Sequence, residues 1–201
     1  MKIFYYENFT EKKKYLKEKY SIENLSSNRE KRLMQLKNLK DKENFIIAEY
    51  ITFEILEKEY AITNPKIKGA AGEKPRLIDK ENIYYSRSYS DNNLVLAFSK
   101  EGPVGIDMEK ISPVDYGVVK YFFTEEEKIY LDNSQNKDLA FTEIWTRKES
   151  YMKYLGQGLN FPFDRLNTLK ENLNIKTINL DNQVISLTGE KNYEKDNYRL
   201  L

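Results

Sequence analysis

Cysteine and histidine are both absent from the 201 residues, and each absence closes a range of chemistry. Without cysteine there are no disulfides, no thiol nucleophile and no thiolate zinc cluster. Without histidine there is no Ser-His-Asp triad and no imidazole acid or base. Proton transfer therefore falls to Asp, Glu, Lys, Tyr or water. Any metal falls to oxygen ligands, which suits Mg2+ or a similar hard cation. Long apolar runs are missing too: Leu94–Phe98 is five residues, against about 20 for a membrane-spanning helix. The opening Met1–Tyr6 is cut off by Glu7 and is too short for a signal-peptide apolar region. A soluble, cytoplasmic chain with no membrane partner is expected.

Net charge is nearly absent as well. The 33 Lys and Arg against 32 Asp and Glu leave +1, too little basic excess for a protein that tracks nucleic acid. The charge is unevenly spread. Residues 10–42 hold 11 basic against 5 acidic side chains, and residues 101–149 hold 6 against 11. Two solvated helical faces would explain this, and so would a phosphate-holding region beside a cation-holding one. Mean hydropathy is −0.74, yet 16 Tyr and 10 Phe can fill a core that aliphatic residues alone would leave thin.

Periodicity predicts a strand over residues 2–6, a helix over 11–20 capped by Thr10, and a second helix over 28–40. A third begins at Asp41 and is stopped by Asn64-Pro65. Gly69–Pro75 is a glycine-rich loop, followed by strands at 83–85, 94–99 and 104–109. Thr124-x-x-Glu127 fits a capping box at the start of a helix. A further helix over 138–155 ends at Gly156, and strands follow at 173–179, 183–188 and 198–201. Segregated runs of strands and helices make the class α+β, in two halves, 1–100 and 101–201, meeting tightly near residues 98–104.

Three places carry possible chemistry. In Gly105-Ile106-Asp107-Met108-Glu109, residues two apart on a strand share a face, so Asp107 and Glu109 present two carboxylates to one point. Such a pair repels itself unless a cation or proton lies between. On the helix after residue 138, Trp145, Glu149 and Lys153 form one i, i+4, i+8 stripe. Glu127 is accounted for by its capping box, with a catalytic role open beside it. Neither Gly69–Pro75 nor Gly156-Gln157-Gly158 has the spacing of a nucleotide-binding loop.

Taken together, Gly105-Ile106-Asp107-Met108-Glu109-Lys110, Phe122-Phe123 and Trp145-Thr146-x-Lys148-Glu149-Ser150-Tyr151-x-Lys153-x-x-Gly156-x-Gly158-Leu159 resemble the surfactin-type 4'-phosphopantetheinyl transferases. Arg29-Glu30-Lys31-Arg32 and Gly72-x-Lys74-Pro75 extend the resemblance upstream. It implies a pseudo-twofold pair of α+β halves with coenzyme A in the cleft between them. It implies an Mg2+-dependent enzyme, with Mn2+ as a substitute, acting as a monomer on an apo acyl or peptidyl carrier protein and releasing 3',5'-ADP.

By the same resemblance Asp107, Glu109 and Glu149 hold the metal. Glu149 or Glu127 takes the serine proton, Lys153 neutralises the attacked phosphate, and Trp145 packs beside Glu149. Lys31, Lys74, Pro75, Ser88, Tyr89, Ser90, Lys148 and Lys153 contact the coenzyme. The sequence departs from the family at Tyr89, which stands where a histidine contacts the 3'-phosphate. Met34 and Ile46 likewise stand where basic residues are common. The alternatives are a non-catalytic relative that binds carrier proteins or a nucleotide, and a different Mg2+-dependent phosphoryl enzyme on the same scaffold.

Overall fold

The computed structural model of the chain describes residues 1–70, 72–78, 80, 82–158, 161–190 and 198–200. In chain order, β1 (Lys2–Tyr6) leads through a 3-10 turn at Phe9–Lys12 into α1 (Lys13–Lys19), α2 (Ser27–Gln35) and α3 (Leu39–Tyr60). Two short strands, β2 (Ile67–Lys68) and β3 (Arg76–Leu77), flank the glycine-rich loop. Then come β4 (Tyr84–Ser90), β5 (Asn93–Ser99) and β6 (Val104–Lys110). The second half continues with α4 (Tyr116–Phe122), α5 (Glu125–Asn133), α6 (Lys137–Leu155), β7 (Ile175–Asn179), β8 (Gln183–Gly189) and β9 (Tyr198–Leu200). This is the expected α+β class.

The larger sheet has strand order β4-β5-β1-β9, and the smaller has β6-β8-β7. Alternation along β5 decides how they stack. Leu94, Leu96 and Phe98 face α3, in a core that also takes Phe4, Phe53, Leu56 and Tyr85. Val95 and Ala97, with Ile3, face the other way and meet Val104, Ile106, Met108, Ile185 and Leu187 of the smaller sheet. On the far side of that sheet, β6 and β8 pack against α6. There Thr146 Oγ1 lies 2.9 Å from Ser186 Oγ, and Ser150 Oγ lies 2.8 Å from Thr188 Oγ1. The order of layers is therefore α3, larger sheet, smaller sheet, α6. A third apolar cluster, with Val119, Phe123, Leu131, Phe141 and Ile144, joins α4 and α5 to α6.

Several boundaries differ from expectation for local reasons. Thr10 lies inside the 3-10 turn and caps nothing. The cap of α3 is Asn38, whose side chain accepts from the Lys40 N–H at 2.8 Å, so the helix starts ahead of Asp41. It ends at Ala61 in the left-handed conformation (φ 54°), before Asn64-Pro65 is reached. Strand β4 runs on through Arg87–Ser90, which alternate but carry little apolar character. The Thr124–Glu127 capping box and the Gly156 C-cap (φ 71°) are as expected. Leu159 of the signature block and Leu201 lie outside the described residues. Strand β9 pairs in parallel with β1, Phe4 opposite Arg199, so the last described residues return to the sheet of the first half.

Candidate active site

Only glycine lets β6 lie against α6. A Cβ on Gly105 would stand 1.9 Å from Ser150 O and 2.4 Å from Tyr154 N. That close approach brings Asp107, two residues on, beside Lys153 near the C-terminal end of α6. The Lys153 ammonium donates to Asp107 Oδ1 at 2.6 Å and to Ser88 Oγ at 3.0 Å, while Ser88 donates its own proton to Asp107 Oδ1 at 2.8 Å. Asp107 Oδ2 is buried and has no hydrogen-bond partner. Ser90 Oγ lies 3.4 Å from Glu109 Oε2 and accepts from the Lys110 N–H at 3.2 Å.

The three carboxylates feel one another. Glu149 has its pKa raised to about 7, first by burial and then by the negative charge of Asp107, with Lys153 opposing. Glu109 is also raised to about 7, by burial, then Asp107, with Glu149 adding to it. As they stand, no group of three or more acidic side chains among the described residues is arranged to hold a metal ion. The donor chemistry nonetheless suits a hard divalent cation: it is all oxygen, and one buried carboxylate oxygen, Asp107 Oδ2, has no partner. Lys153 keeps one Asp107 oxygen and leaves the other free.

A cavity of about 250 Å3 adjoins this cluster, lined by Gly72, Lys74, Pro75, Tyr85, Arg87 and Lys153 among others. A second, of about 410 Å3, shares Lys74, Pro75 and Tyr85 with it and adds Lys68, Arg76 and Lys80. Lys74 stands at the join. Its amine donates to Val104 O at 2.8 Å and Tyr154 O at 3.1 Å, and burial, with Arg76 nearby, lowers its pKa to about 8. Lys31 is exposed on α2. Tyr89 points to the opposite face of β4 from Ser88 and Ser90, with its ring 6.1 Å from that of Phe9. Trp145 packs on Phe122 and Phe163, at 5.9 Å from each ring.

Two expected site residues belong elsewhere. Glu127 and Lys148 have 0% side-chain exposure and pair with each other at 2.7 Å. Both Glu127 oxygens are filled: Oε1 by the N–H and hydroxyl of Thr168, Oε2 by the Thr124 N–H and Lys148. The Lys148 ammonium spends its remaining donors on the carbonyls of Phe163 and Leu166. A base with no free lone pair and a cation with no free proton have nothing to offer a substrate, so this pair is structural.

The sequence reading also missed a buried triad. Arg29 Nε (2.8 Å) and Arg87 Nη2 (2.6 Å) both donate to Glu49 Oε1, and Arg29 Nη1 reaches Gly69 O at 3.3 Å. The one signal for it was an acid at position 49 inside the apolar run of α3.

Residues 103–200 match the model of the 4'-phosphopantetheinyl transferase superfamily. The likeness to the family model lies in the second half of the chain. The chain is 33% identical over 143 residues to 4'-phosphopantetheinyl transferase gsp of Aneurinibacillus migulanus, covering 70% of this chain and 60% of that protein. It is 27% identical to 4'-phosphopantetheinyl transferase ffp of Bacillus subtilis, over 70% of this chain and 64% of that one. It is 28% identical to 4'-phosphopantetheinyl transferase Sfp of Bacillus subtilis (strain 168), over 62% and 57%. The chain thus spans about 60% of the length of these curated relatives. The solved holo-[acyl-carrier-protein] synthase of Thermotoga maritima is a distant likeness, at 16% identity and a TM-score of 0.31 over 42% of this chain and 60% of that one. The superfamily match includes Asp107, Glu109, Glu149 and Lys153, the residues the fold brings to one place.

Proposed function

We propose that the chain transfers 4'-phosphopantetheine from coenzyme A to a serine hydroxyl of an apo acyl or peptidyl carrier protein, releasing 3',5'-ADP. The observation that carries this reading is the buried Asp107 Oδ2, left without a partner among three coupled carboxylates and Lys153 at the wall of the cleft. The names of the superfamily relatives support it.

Asp107, Glu109 and Glu149 would hold Mg2+ or Mn2+, which when bound neutralises pyrophosphate charge. The chain's own residues do the rest. Lys153, fixed by Asp107 and Ser88, stands where its ammonium can meet a non-bridging oxygen of the phosphate under attack. Glu149, four residues earlier on the same stripe of α6, takes the proton of the attacking serine, directly or through water. Pro75, Lys74 and the glycine-rich loop wall the cleft on the coenzyme's side. Positioning and charge neutralisation are what a phosphoryl displacement requires, and neither needs histidine.

Carrier docking falls to α4. Tyr116 and Tyr121 are 62% and 66% exposed, whereas Val119 is buried in the core and Val118 partly so. An apolar and acidic carrier helix can lie on the two exposed rings. The reading includes a cytoplasmic monomer. No described helix is long and apolar enough to cross a membrane.

The test is incubation with coenzyme A, Mg2+ and an apo carrier protein, followed by mass spectrometry of the carrier. A gain equal to the phosphopantetheine arm is expected. An unchanged carrier, with coenzyme A still bound by the chain, would leave the non-catalytic reading.

A further inference from the structure

Strands β4 and β6 belong to different sheets, yet they run side by side in the same direction at an offset of 20 residues. Serines make the join. At alternate positions of β4, Ser86, Ser88 and Ser90 share one face, while Tyr85, Arg87 and Tyr89 take the other. Ser86 Oγ accepts from the Ile106 N–H at 3.1 Å. Ser88 donates to Asp107 and Ser90 meets Glu109, the two carboxylates of the Gly105–Glu109 motif.

A serine hydroxyl has one proton to give and two lone pairs to receive. The Lys153 ammonium donates to the Ser88 oxygen, and the Lys110 N–H donates to the Ser90 oxygen. Each hydroxyl is thereby oriented by a donor on one side, with its single proton turned to a carboxylate on the other. Ser88 takes Asp107 Oδ1 and leaves Oδ2 open; Ser90 takes Glu109 Oε2 and leaves Oε1 for another partner. Asp107 Oδ2 and Glu109 Oε1 are the oxygens without a serine partner, and so the ones a cation would take.

We propose that Ser88 and Ser90 are positioning residues for Asp107 and Glu109, with Ser90 setting the divalent-cation affinity of the site through Glu109. This assigns them a role different from the coenzyme contacts that the family resemblance implied, and it rests on the proposed function for the identity of the site. The partner that orients a metal ligand is worth about 10–100-fold in affinity, and the long Ser90 contact belongs at the lower end.

The test is Mn2+ binding to the full chain, followed by electron paramagnetic resonance with and without coenzyme A, so that it reads the site apart from turnover. Ser90→Ala is expected to weaken Mn2+ about tenfold, and Ser90→Thr, which keeps the hydroxyl on a β-branched residue suited to a strand, to restore it to within about twofold. Ser86→Ala removes a rung that touches no carboxylate. It is expected to lower the melting temperature and leave Mn2+ affinity as it was. At saturating Mn2+, the KM of Ser90→Ala for coenzyme A should stay within about twofold of the parent.

Unchanged Mn2+ affinity in Ser90→Ala would overturn the inference, most directly if KM for coenzyme A rose instead. Equal weakening by Ser86→Ala and Ser90→Ala would also overturn it, since the ladder would then act only through the fold. So would a parent chain that binds no Mn2+ under either condition. If the carrier is never modified but the Mn2+ pattern holds, the transferase reading fails and the positioning role stands.

Discussion

Glu109 and Glu149 hold their protons harder than ordinary carboxylates, and the sign of that shift has a measurable consequence. Their folded-state pKa values, about 7, lie above the ordinary 4.5. Between those values the folded chain binds more protons than the unfolded one, so the metal-free protein loses stability as pH rises from 4.5 to 7. Glu109→Gln or Glu149→Gln should therefore raise the melting temperature of the metal-free chain at pH 8 by about 2–4 °C for each kcal/mol of strain relieved. The gain should fade toward pH 5, and turnover should be lost in the same variants. Thermal scans at the two pH values check it; a gain of equal size at both would show that the carboxyl charge is not its source. Tyr89 invites a second measurement at this scale. Its phenol adds no charge for a 3'-phosphate, and its ring rests near Phe9. The kcat/KM ratio of coenzyme A to its 3'-dephospho form should be small in the parent chain. It should grow in Tyr89→His, most at mildly acidic pH where imidazole is charged.

Among the elements, α5 and α6 show how a motif can be read correctly at one level and misread at the next. The Thr124–Glu127 capping box is written in four residues, and the helix starts where it says. That the same Glu127 would also receive Lys148 and Thr168 could not be read there, because those contacts depend on how α6 and the segment after it pack. Removing one partner of a buried pair leaves the other charge stranded, at a cost of about 3–5 kcal/mol. Glu127→Gln and Lys148→Met should each lower stability by that order in chemical denaturation. The double change to a well-packed apolar pair should cost less than the two separately.

Legibility followed the same line elsewhere. Asp107 with Glu109, and Glu149 with Lys153, were readable as pairs because strand and helix periodicities place each on one face; that the pairs meet was implied by the family resemblance alone. The triad of Arg29, Glu49 and Arg87 was not, since its members come from α2, α3 and β4 and share no local pattern. Nor was the serine face of β4, where polar alternation looks like an exposed strand until β6 lies against it.

For the whole molecule, the layers α3, larger sheet, smaller sheet and α6 leave Asp107, Glu109 and Glu149 on one half and the glycine-rich loop on the other. Within the half that carries the carboxylates, Gly105 sets the spacing of β6 and α6. With backbone atoms of α6 as close as 1.9 Å to any added Cβ, Gly105→Ala must push strand and helix apart. It should destabilise the chain by more than the roughly 1–3 kcal/mol typical of overpacking and reduce turnover beyond what the lost stability explains. Circular dichroism melts beside kcat of the remaining folded fraction would separate the two effects. Wild-type kcat in that fraction would show that the spacing of β6 and α6 is not critical.

Lys74, at the join of the two cavities, has a further use as a reporter. An amine with a pKa near 8 is a nucleophile at a pH where ordinary lysines are still protonated. Held on Val104 O and Tyr154 O, however, it can meet an acylating reagent only after giving up both hydrogen bonds. Its labelling rate at pH 8, followed by peptide mass mapping against the exposed lysines of α1, then becomes a clock for the release of those two bonds. A ligand that closes the cleft should stop that clock while the other lysines continue to react.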